Sequence, residues 1–284
     1  MNITLLNPHG YCYGVKRALQ TVKDAINDKN VKKPIYLLGN LIHNKYVTKE
    51  LEDLGVITIN SKNRTRLEML DDINEGTVIF SAHGVSNEVI LKAKSKGLNY
   101  IDATCPNVLL IHKRIKEHLS NGDIVIYIGN EFHPECEGVL GFSKNIFLYS
   151  DKLDLSQFKD KTVYITNQTT LSIIDLKSTF NHIESILPNA IIDNKICLAT
   201  TKRQEALLNQ NADLCVVVGD TLSSNSKKLK EVSEKYGHIP AILVETYKDL
   251  DKNDFKNKNN VVVTAGASTP EELTNDVIQK LQEF

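Results

Sequence analysis

Short apolar runs recur along the chain, and each of them closes on small or polar residues. Nine such runs are present: LLNPHGYC, YLLGNLIHN, VIFSAHGVS, YIDATCPNV, VIYIGNEFHPE, VYITNQTTLS, ICLATTKR, VVVGDTLSSNS and VVVTAGASTPEE. Most of them lead into a segment in which apolar residues return every three or four positions. Apolar strands that alternate with amphipathic helices are typical of parallel sheets covered on both faces. The pattern therefore predicts an α/β fold with mainly parallel sheets.

The helices can be read from the positions of their apolar residues. The segment after Cys12 carries one apolar face, made of Val15, Ala18, Leu19, Val22, Ala25 and Ile26. Pro106 suits a first helical position, where its missing N–H costs little. Near the C-terminus, the sequence TPEE predicts a capping box with Thr269 as N-cap and Glu272 three residues later.

The first, fourth and seventh runs end on three cysteines at nearly equal intervals, Cys12, Cys105 and Cys197. This spacing predicts three repeats of three strand–loop–helix units, and repeats make equivalent loops available to converge on one point. The expected lobes are 14–105, 106–193, and 194–284 together with 1–13.

Composition narrows the class of protein. The 284 residues are 41% hydrophobic and 24% charged, as in globular proteins with a sizeable core. A net charge of -1 and a pI of about 6.7 do not favour nucleic acid or an anionic membrane surface as a partner. No apolar run approaches the roughly 20 residues of a membrane helix, and the N-terminus lacks the pattern of a signal peptide. We therefore expect a cytoplasmic protein whose five cysteines are thiols.

Polar side chains and thiols crowd the strand ends. In open parallel sheets, ligands bind beyond the carboxyl ends of the strands, where loops meet helix N-termini. The residues at these positions are Cys12, His43, His83, Cys105, His133, Glu135, Thr169, Cys197, Ser223, Ser224, Asn225 and Ser268. This edge is therefore the predicted functional site.

The five cysteines have two interpretations, since a free thiol is usually a small buried hydrophobic residue. We expect that role for Cys215 and Cys136. Cys12, Cys105 and Cys197 lie at strand-to-helix junctions, where the helix N-terminus favours a thiolate, and for them we favour metal ligation. No close CxxC pair of the kind that binds zinc is present, and thiolates are the ligands that iron–sulfur clusters prefer. Three thiolates on a four-iron cluster leave one iron without a protein ligand.

The remaining strand-end groups are suited to an anion. His43, His83 and His133, with the hydroxyl and amide groups at 223–225 and Ser268, are donors for a phosphate or diphosphate, and helix N-termini add backbone N–H groups. Neither GxxxxGK[ST] nor GxGxxG occurs, which argues against the common nucleotide-binding loops.

Glu135, in HPECEG, has two interpretations of equal weight. A carboxyl group beside a cluster and a bound anion would have a raised pKa, which suits proton delivery. Alternatively, it is an ordinary glutamate in the first turn of a helix, where it interacts with the helix dipole.

A series of motifs decides between these alternatives. The motifs occur in the order NPHGYCYGV, HNKYV, FSAHGVS, DATCP, HPE-EG, QTTLS, ATTKRQEA, SSNS and TAGAS. Over essentially the whole chain, they resemble the 4-hydroxy-3-methylbut-2-enyl diphosphate reductase family, also called IspH or LytB. The resemblance implies three similar α/β lobes arranged with pseudo-three-fold symmetry around a central iron–sulfur cluster. It also implies the last step of the non-mevalonate isoprenoid route, in which the substrate is reductively dehydroxylated to isopentenyl and dimethylallyl diphosphates.

The resemblance also implies residue roles. Cys12, Cys105 and Cys197 match the ligands of a [4Fe-4S] cluster. Glu135 matches the proton-delivering acid, and Thr169 matches a neighbour in its hydrogen-bond relay. The groups that match the diphosphate site are His43, His83, His133, Ser223, Ser224, Asn225 and Ser268. We further expect catalytic roles for His133 and Thr169, flavodoxin or ferredoxin as electron donor, and a monomer.

The chain departs from the family pattern at His9, Tyr11, Tyr13 and Cys136, none of which is a matched functional residue. These departures concern the environment of the cluster. Two other functions stay open from the residues alone. One is a non-catalytic sensor that binds a cluster or a diphosphate, and the other is a redox-silent phosphate-ester isomerase with three structural thiols.

Overall fold

A computed structural model describes residues 1–61 and 63–284. The twelve strands of this part of the chain are β1 (Asn2–Leu5), β2 (Ile35–Leu38), β3 (Ile57–Ile59), β4 (Thr77–Phe80), β5 (Asn99–Asp102), β6 (Ile124–Ile128), β7 (Ile146–Leu148), β8 (Val163–Asn167), β9 (Ile191–Ile192), β10 (Leu214–Val218), β11 (Ala241–Val244) and β12 (Asn260–Ala265). The α-helices are α1 (Tyr13–Asn27), α2 (Lys45–Asp53), α3 (Arg66–Met69), α4 (Asn87–Ser95), α5 (Pro106–Ser120), α6 (Pro134–Leu140), α7 (Ile173–Ile186), α8 (Leu198–Glu205), α9 (Ser224–Lys235) and α10 (Glu271–Gln282).

The described strands form three four-stranded sheets with the same internal order. The orders are β3-β2-β4-β5, β7-β6-β8-β9 and β11-β10-β12-β1, and every neighbouring pair is parallel. If β1 is counted as the strand after β12, each sheet runs second, first, third and fourth strand. This architecture confirms the predicted α/β fold of three lobes with parallel sheets.

The N-terminal strand belongs to the sheet of the C-terminal part of the chain. Strand β1 pairs with β12 in the register Asn2 to Asn260 and Leu5 to Val263. Further along, the backbone N–H of Cys12 donates to the carbonyl oxygen of Ala267 at 3.1 Å. The boundaries of the lobes at individual residues stay predictions.

Four details of the strands differ from the sequence prediction. The structure adds β3, β7 and β11, each an edge strand of three or four residues with partly exposed side chains. Such short strands carry too few apolar residues to be separated from loops by pattern. The predicted strand within ICLATT is wrong, because the strand of this unit is β9 at 191–192 and Cys197 already caps α8.

The predicted capping box is also wrong. Helix α10 has Pro270 as its N-cap, with no side-chain cap. The hydroxyl of Thr269 is buried and donates to the carbonyl oxygen of Val218 at 3.0 Å. This carbonyl oxygen also accepts from the backbone N–H of Gly266, so Thr269 is its second donor, and the hydroxyl is engaged there in place of capping the helix.

The core fills the space between each sheet and its helices. Strand β10 is buried along its whole length, and Cys215 within it is fully buried against α9. Cys136 is equally buried among the side chains of the second lobe. These positions confirm the packing roles predicted for both cysteines. Among residues 1–61 and 63–284, no helix has the length and apolar character needed to span a membrane.

Candidate active site

The three sheets direct their carboxyl ends at one cavity. With β1 again counted after β12, the loops that follow the first, third and fourth strands of each sheet reach it. All twelve predicted residues line it: Cys12, His43, His83, Cys105, His133, Glu135, Thr169, Cys197, Ser223, Ser224, Asn225 and Ser268. The repeated strand order thus gives three equivalent sets of loops, one for each sheet.

The three cysteines occupy equivalent positions, after the fourth strand of each sheet and at the N-caps of α1, α5 and α8. Each cysteine N–H donates to a carbonyl oxygen in the loop after the third strand of its sheet. The acceptors are Ala267 for Cys12, Ala82 for Cys105 and Thr169 for Cys197, at 3.1, 2.9 and 3.1 Å. A strand end and a helix start therefore fix each thiol from both sides.

The thiols lie close together. A Cβ atom at Gly14 would stand 2.5 Å from the sulfur of Cys105 and 3.9 Å from that of Cys12, so only glycine fits between them. The side chain of Asn107 donates to the sulfur of Cys197 at 3.1 Å. Burial raises the pKa of Cys105, and the neighbouring Cys12 and Cys197 raise it further, against backbone hydrogen bonds from Asn107 and Val108.

The surroundings of Arg203 indicate the charge of the group that the three thiols would bind. Its guanidinium is buried and donates to the carbonyl oxygens of Gly10 and Ala199 at 2.6 and 2.8 Å, while its Nε has no partner in the described chain. No carboxylate of the described residues pairs with it. Burial lowers its pKa, and Cys12 and Cys197 oppose that shift. A buried cation needs a counter-charge, so the residues fit an anionic, thiolate-held centre.

Three histidines form a second cluster in the cavity. The ring centroids of His43, His83 and His133 lie 4.6 to 5.4 Å apart, and one ring nitrogen from each lies within 4.8 Å of the others. Burial is the main cause that lowers the pKa of all three, for His133 to about 3. The imidazoles are therefore neutral at neutral pH, and an anion among them would raise their pKa.

The groups around the histidines favour an anion over a metal ion. Ser223 caps α9 and Ser224 begins it, and the first turn of this helix contains no acidic residue. Both side-chain polar atoms of Asn225 are buried without a partner in the described chain. The hydroxyl of Ser268 donates to the carbonyl oxygen of His43 at 3.0 Å. Hydroxyls, an amide and a helix N-terminus are donors that suit phosphate oxygens.

Glu135 is buried in the cavity wall, and its carboxylate accepts three hydrogen bonds. The donors are the backbone N–H and the hydroxyl of Thr169, at 3.0 and 2.8 Å, and the hydroxyl of Tyr127, at 3.1 Å. Burial raises its pKa to about 7, although these hydrogen bonds oppose the shift. An interaction with the helix dipole explains its place at the start of α6 but not this burial. The geometry favours a group that exchanges a proton near neutral pH.

Arg66 is a residue of the site that the sequence analysis missed. Its buried guanidinium donates to the carbonyl oxygens of Gly84 and Pro134, which adjoin His83 and His133, and it pairs with Glu137. One side chain thus joins the histidine loops of two lobes. Tyr127 and Arg203 were missed as well, since a tyrosine within a buried strand and an arginine within a helix carry no distinctive pattern.

Replacement of Arg66 with methionine is expected to lower the free energy of unfolding by about 1 to 3 kcal/mol, because two buried carbonyl oxygens lose a donor and Glu137 keeps only the backbone N–H of residue 66. Inorganic diphosphate should bind at least about tenfold more weakly, since two histidine loops lose their common anchor. Denaturant unfolding and calorimetric titration measure the two effects. Arg64→Met is the matched control, because Arg64 is only partly buried and pairs with Asp72 at the surface. Equal losses in both variants would contradict this role for Arg66.

Comparisons with known proteins cover the whole chain. The sequence profile of the family described as LytB protein matches residues 3–282. A 4-hydroxy-3-methylbut-2-enyl diphosphate reductase of Macrococcus caseolyticus is 43% identical, over all of this chain and 90% of that protein. The enzyme of the same name from Symbiobacterium thermophilum is 42% identical, over all of this chain and 98% of its own length.

Solved structures agree with the sequence comparisons. The E-1-hydroxy-2-methyl-but-2-enyl-4-diphosphate reductase of Plasmodium falciparum superposes with a TM-score of 0.89 at 34% identity, covering 99% of this chain and 88% of that one. A structure of (E)-4-hydroxy-3-methyl-but-2-enyl diphosphate reductase, described as the terminal enzyme of the non-mevalonate pathway, gives a TM-score of 0.66 at 28% identity, with both chains fully covered. With a family match across nearly every residue and relatives above 40% identity, this chain belongs to the LytB family.

Proposed function

We propose that this protein reduces (E)-4-hydroxy-3-methylbut-2-enyl diphosphate to isopentenyl and dimethylallyl diphosphates, the last step of the non-mevalonate route. Full-length relatives bear the name of this reductase. One observation carries the proposal: a single cavity joins three converging thiols, an anion pocket and a buried acid. Each part corresponds to one requirement of a reductive dehydroxylation of a diphosphate ester.

The thiolates of Cys12, Cys105 and Cys197 would hold a [4Fe-4S] cluster, with Arg203 as a buried counter-charge. When bound, such a cluster supplies electrons and, at the iron without a protein ligand, a Lewis acid. The three N-caps keep the sulfurs at positions fixed by backbone hydrogen bonds. Gly14 leaves room for the sulfur atoms of two helices to approach.

The diphosphate is held by the pocket around the three histidines. His43 and His83 donate to phosphate oxygens, and Ser223, Ser224, Asn225 and Ser268 complete the pocket from the third lobe. The free Asn225 amide gains a partner when the anion binds. These contacts fix the carbon skeleton beside the cysteines and supply orientation. Because an anion raises the pKa of the imidazoles, binding is accompanied by proton uptake.

Glu135 delivers the proton that converts the departing hydroxyl into water. The overall change breaks one C–O bond, adds two electrons and a proton to the allyl fragment, and releases water with a second proton. The hydroxyl and N–H of Thr169 hold the carboxyl group and stabilise its carboxylate after transfer. Nδ1 of His133 accepts from the backbone N–H of Glu135 at 3.2 Å, which leaves its Nε2 to donate into the cavity.

The two alternative functions predict different outcomes of one experiment. After anaerobic purification, the holoenzyme is expected to be brown, with a Mössbauer spectrum in which the substrate perturbs one iron. With reduced methyl viologen as electron donor, the holoenzyme should then convert the hydroxylated diphosphate. Mass spectrometry identifies the products. A brown protein that binds the diphosphate without turnover would favour the sensor. A colourless protein that converts the diphosphate without a reductant would favour the isomerase. A cytoplasmic location, a monomer, and flavodoxin or ferredoxin as donor are further parts of this proposal.

A further inference from the structure

The three helices that begin at the cysteines are tied to one another in a ring. Helix α1 begins directly after Cys12, and the guanidinium of Arg17 on this helix donates to the carbonyl oxygen of Thr104 at 2.8 Å. Thr104 directly precedes Cys105 in the chain. A side chain from the helix of one cysteine therefore fixes the backbone that carries the next thiol.

The second tie runs from α5 to the sulfur of Cys197. Asn107 lies two residues after Cys105, and its side-chain nitrogen donates to the Cys197 sulfur at 3.1 Å. Only the NH₂ group of an asparagine side chain can donate, and a donor stabilises a sulfur that carries negative charge. This tie therefore acts on a thiol itself, whereas the first acts on the backbone beside one.

The third tie closes the ring. Arg203 lies on α8, six residues after Cys197, and donates to the carbonyl oxygen of Gly10 at 2.6 Å. Gly10 lies two residues before Cys12, in the loop that leads to the first thiol. Each of the three cysteine helices thus holds the segment around the next cysteine.

The ring crosses between the three sheets. Helices α1, α5 and α8 follow the strands β1, β5 and β9, which belong to three different sheets. Each tie therefore joins one sheet unit to the next, and the third tie returns to the first unit. Backbone hydrogen bonds already fix each thiol within its own sheet. What the ring adds is the position of the three thiols relative to one another.

The ring also brings two positive charges to the thiols. Neither Arg17 nor Arg203 is among the arginines that form ion pairs in the described chain. Three thiolates at short distances repel one another, and cations nearby offset part of that repulsion. The two guanidinium groups therefore suit a site in which the thiols are held close together before anything binds to them.

We propose that Arg17, Asn107 and Arg203 are positioning residues that hold the three thiols as a preformed triangle for the cluster. The identity of the bound group rests on the proposed function, but the triangle is a property of the chain. Ligands that are already in place lose less conformational freedom when a metal binds. Asn107 has a second effect, because a hydrogen bond to a ligand sulfur stabilises the more negative, reduced state of a cluster.

Cadmium binding to the full chain without iron tests the triangle. Under anaerobic, reducing conditions, thiolate-to-cadmium absorption in the ultraviolet reports Cd²⁺ at the thiols, and the three histidines give no such band. Arg17→Met should weaken the Cd²⁺ affinity by about 10- to 100-fold, the usual effect of changes around metal ligands. Arg17→Lys, which keeps a donor for Thr104, should recover most of the affinity. Arg114→Met is the matched control, because Arg114 lies at the exposed surface of α5 and pairs with Glu117.

The reduction potential of the anaerobic holoenzyme, measured by redox titration with EPR detection, tests Asn107. Asn107→Leu removes the donor at similar size and should lower the one-electron reduction equilibrium by about tenfold, or about 59 mV. Asn107→Asp places a negative charge beside the sulfur and should lower the potential further. Because aspartate is closer to asparagine in shape than leucine is, a side chain that only filled space would not give this order.

Three results would overturn the ring as a positioning device. They are an unchanged Cd²⁺ affinity in Arg17→Met, an equal loss of affinity in Arg114→Met, and wild-type potentials in both Asn107 variants. The proposed function fails in a different way. A wild type that holds no cluster and leaves the hydroxylated diphosphate unconverted would refute the reductase, while the Cd²⁺ affinities would still report on the triangle.

Discussion

Replacement of Cys105 with serine is expected to leave a folded protein that no longer holds a full cluster. The three sulfurs converge on one point, and the loss of one thiolate removes a third of the proposed ligands. Changes to groups that merely support a metal ligand cost 10- to 100-fold in affinity or activity, so the loss of a ligand should lower turnover by more than about 100-fold. Iron and sulfide analysis after anaerobic reconstitution measures the effect, together with visible absorbance.

The chain provides its own control for this experiment. Cys215 is a fully buried thiol in β10 and does not line the cavity. Cys215→Ala should cost about 1 to 2 kcal/mol of stability through the small cavity that it creates, and it should keep iron, sulfide and turnover. A full cluster in Cys105→Ser would remove the ligand role of Cys105. Loss of activity in a stable Cys215→Ala would overturn its assignment as a core residue.

Glu135→Gln is expected to lower turnover by about 10² to 10⁴-fold, the usual contribution of general acid catalysis. Glutamine keeps the size of the side chain and can still accept from Thr169 and Tyr127, but its amide protons are not acidic enough to be transferred. The KM for the hydroxylated diphosphate should change little, because the anion pocket is left intact. Steady-state assays with reduced methyl viologen separate kcat from KM. Near-normal turnover would exclude Glu135 as the acid.

The pH dependence gives an independent test of Glu135. Its pKa of about 7 in the folded protein lies above its ordinary value of 4.5, so the acid is protonated below pH 7 and turnover should fall as the pH rises through 7. The folded protein binds this proton more tightly than the unfolded chain. The associated stability is therefore present below pH 4.5 and is lost as the pH rises to about 7. Glu135→Gln should abolish the part of the stability loss between pH 4.5 and 7 that comes from this carboxyl group.

Tyr127→Phe is the matching variant for the pH profile. The hydroxyl of Tyr127 donates to the carboxylate of Glu135, which lowers the pKa of the acid. Removal of this donor should shift the falling limb of the profile to higher pH while turnover at low pH is preserved. A limb that stays in place would show that another group controls the profile.

The sequence predicts the site well, because the carboxyl ends of parallel strands meet at one edge. That rule located Cys12, His83 and Ser268 without any knowledge of the strand order. It could not reveal Tyr127, which looks like any aromatic residue of a buried strand. It could not reveal Arg66 either, whose carbonyl partners come from two different lobes.

The fold was predictable to a similar extent. Central strands such as β10 are long and wholly apolar, so their pattern is clear, whereas β3 has three residues with partly exposed side chains. Thr269 shows a second limit. Its sequence context favours a helix cap, but a buried carbonyl of a neighbouring strand takes its hydroxyl. Local pattern cannot resolve a competition that depends on tertiary contacts.

The pairing of β1 with β12 sets an order of events during biosynthesis. Cys12 precedes its partners by about 250 residues, since its strand pairs with residues 260–263 and its backbone N–H is held by Ala267. At about 5 to 20 residues per second, the ribosome needs tens of seconds to reach that partner. The thiol of Cys12 is thus positioned only after residues 260–267 have been made. Insertion of the proposed cluster would therefore follow the synthesis of residues 260–267.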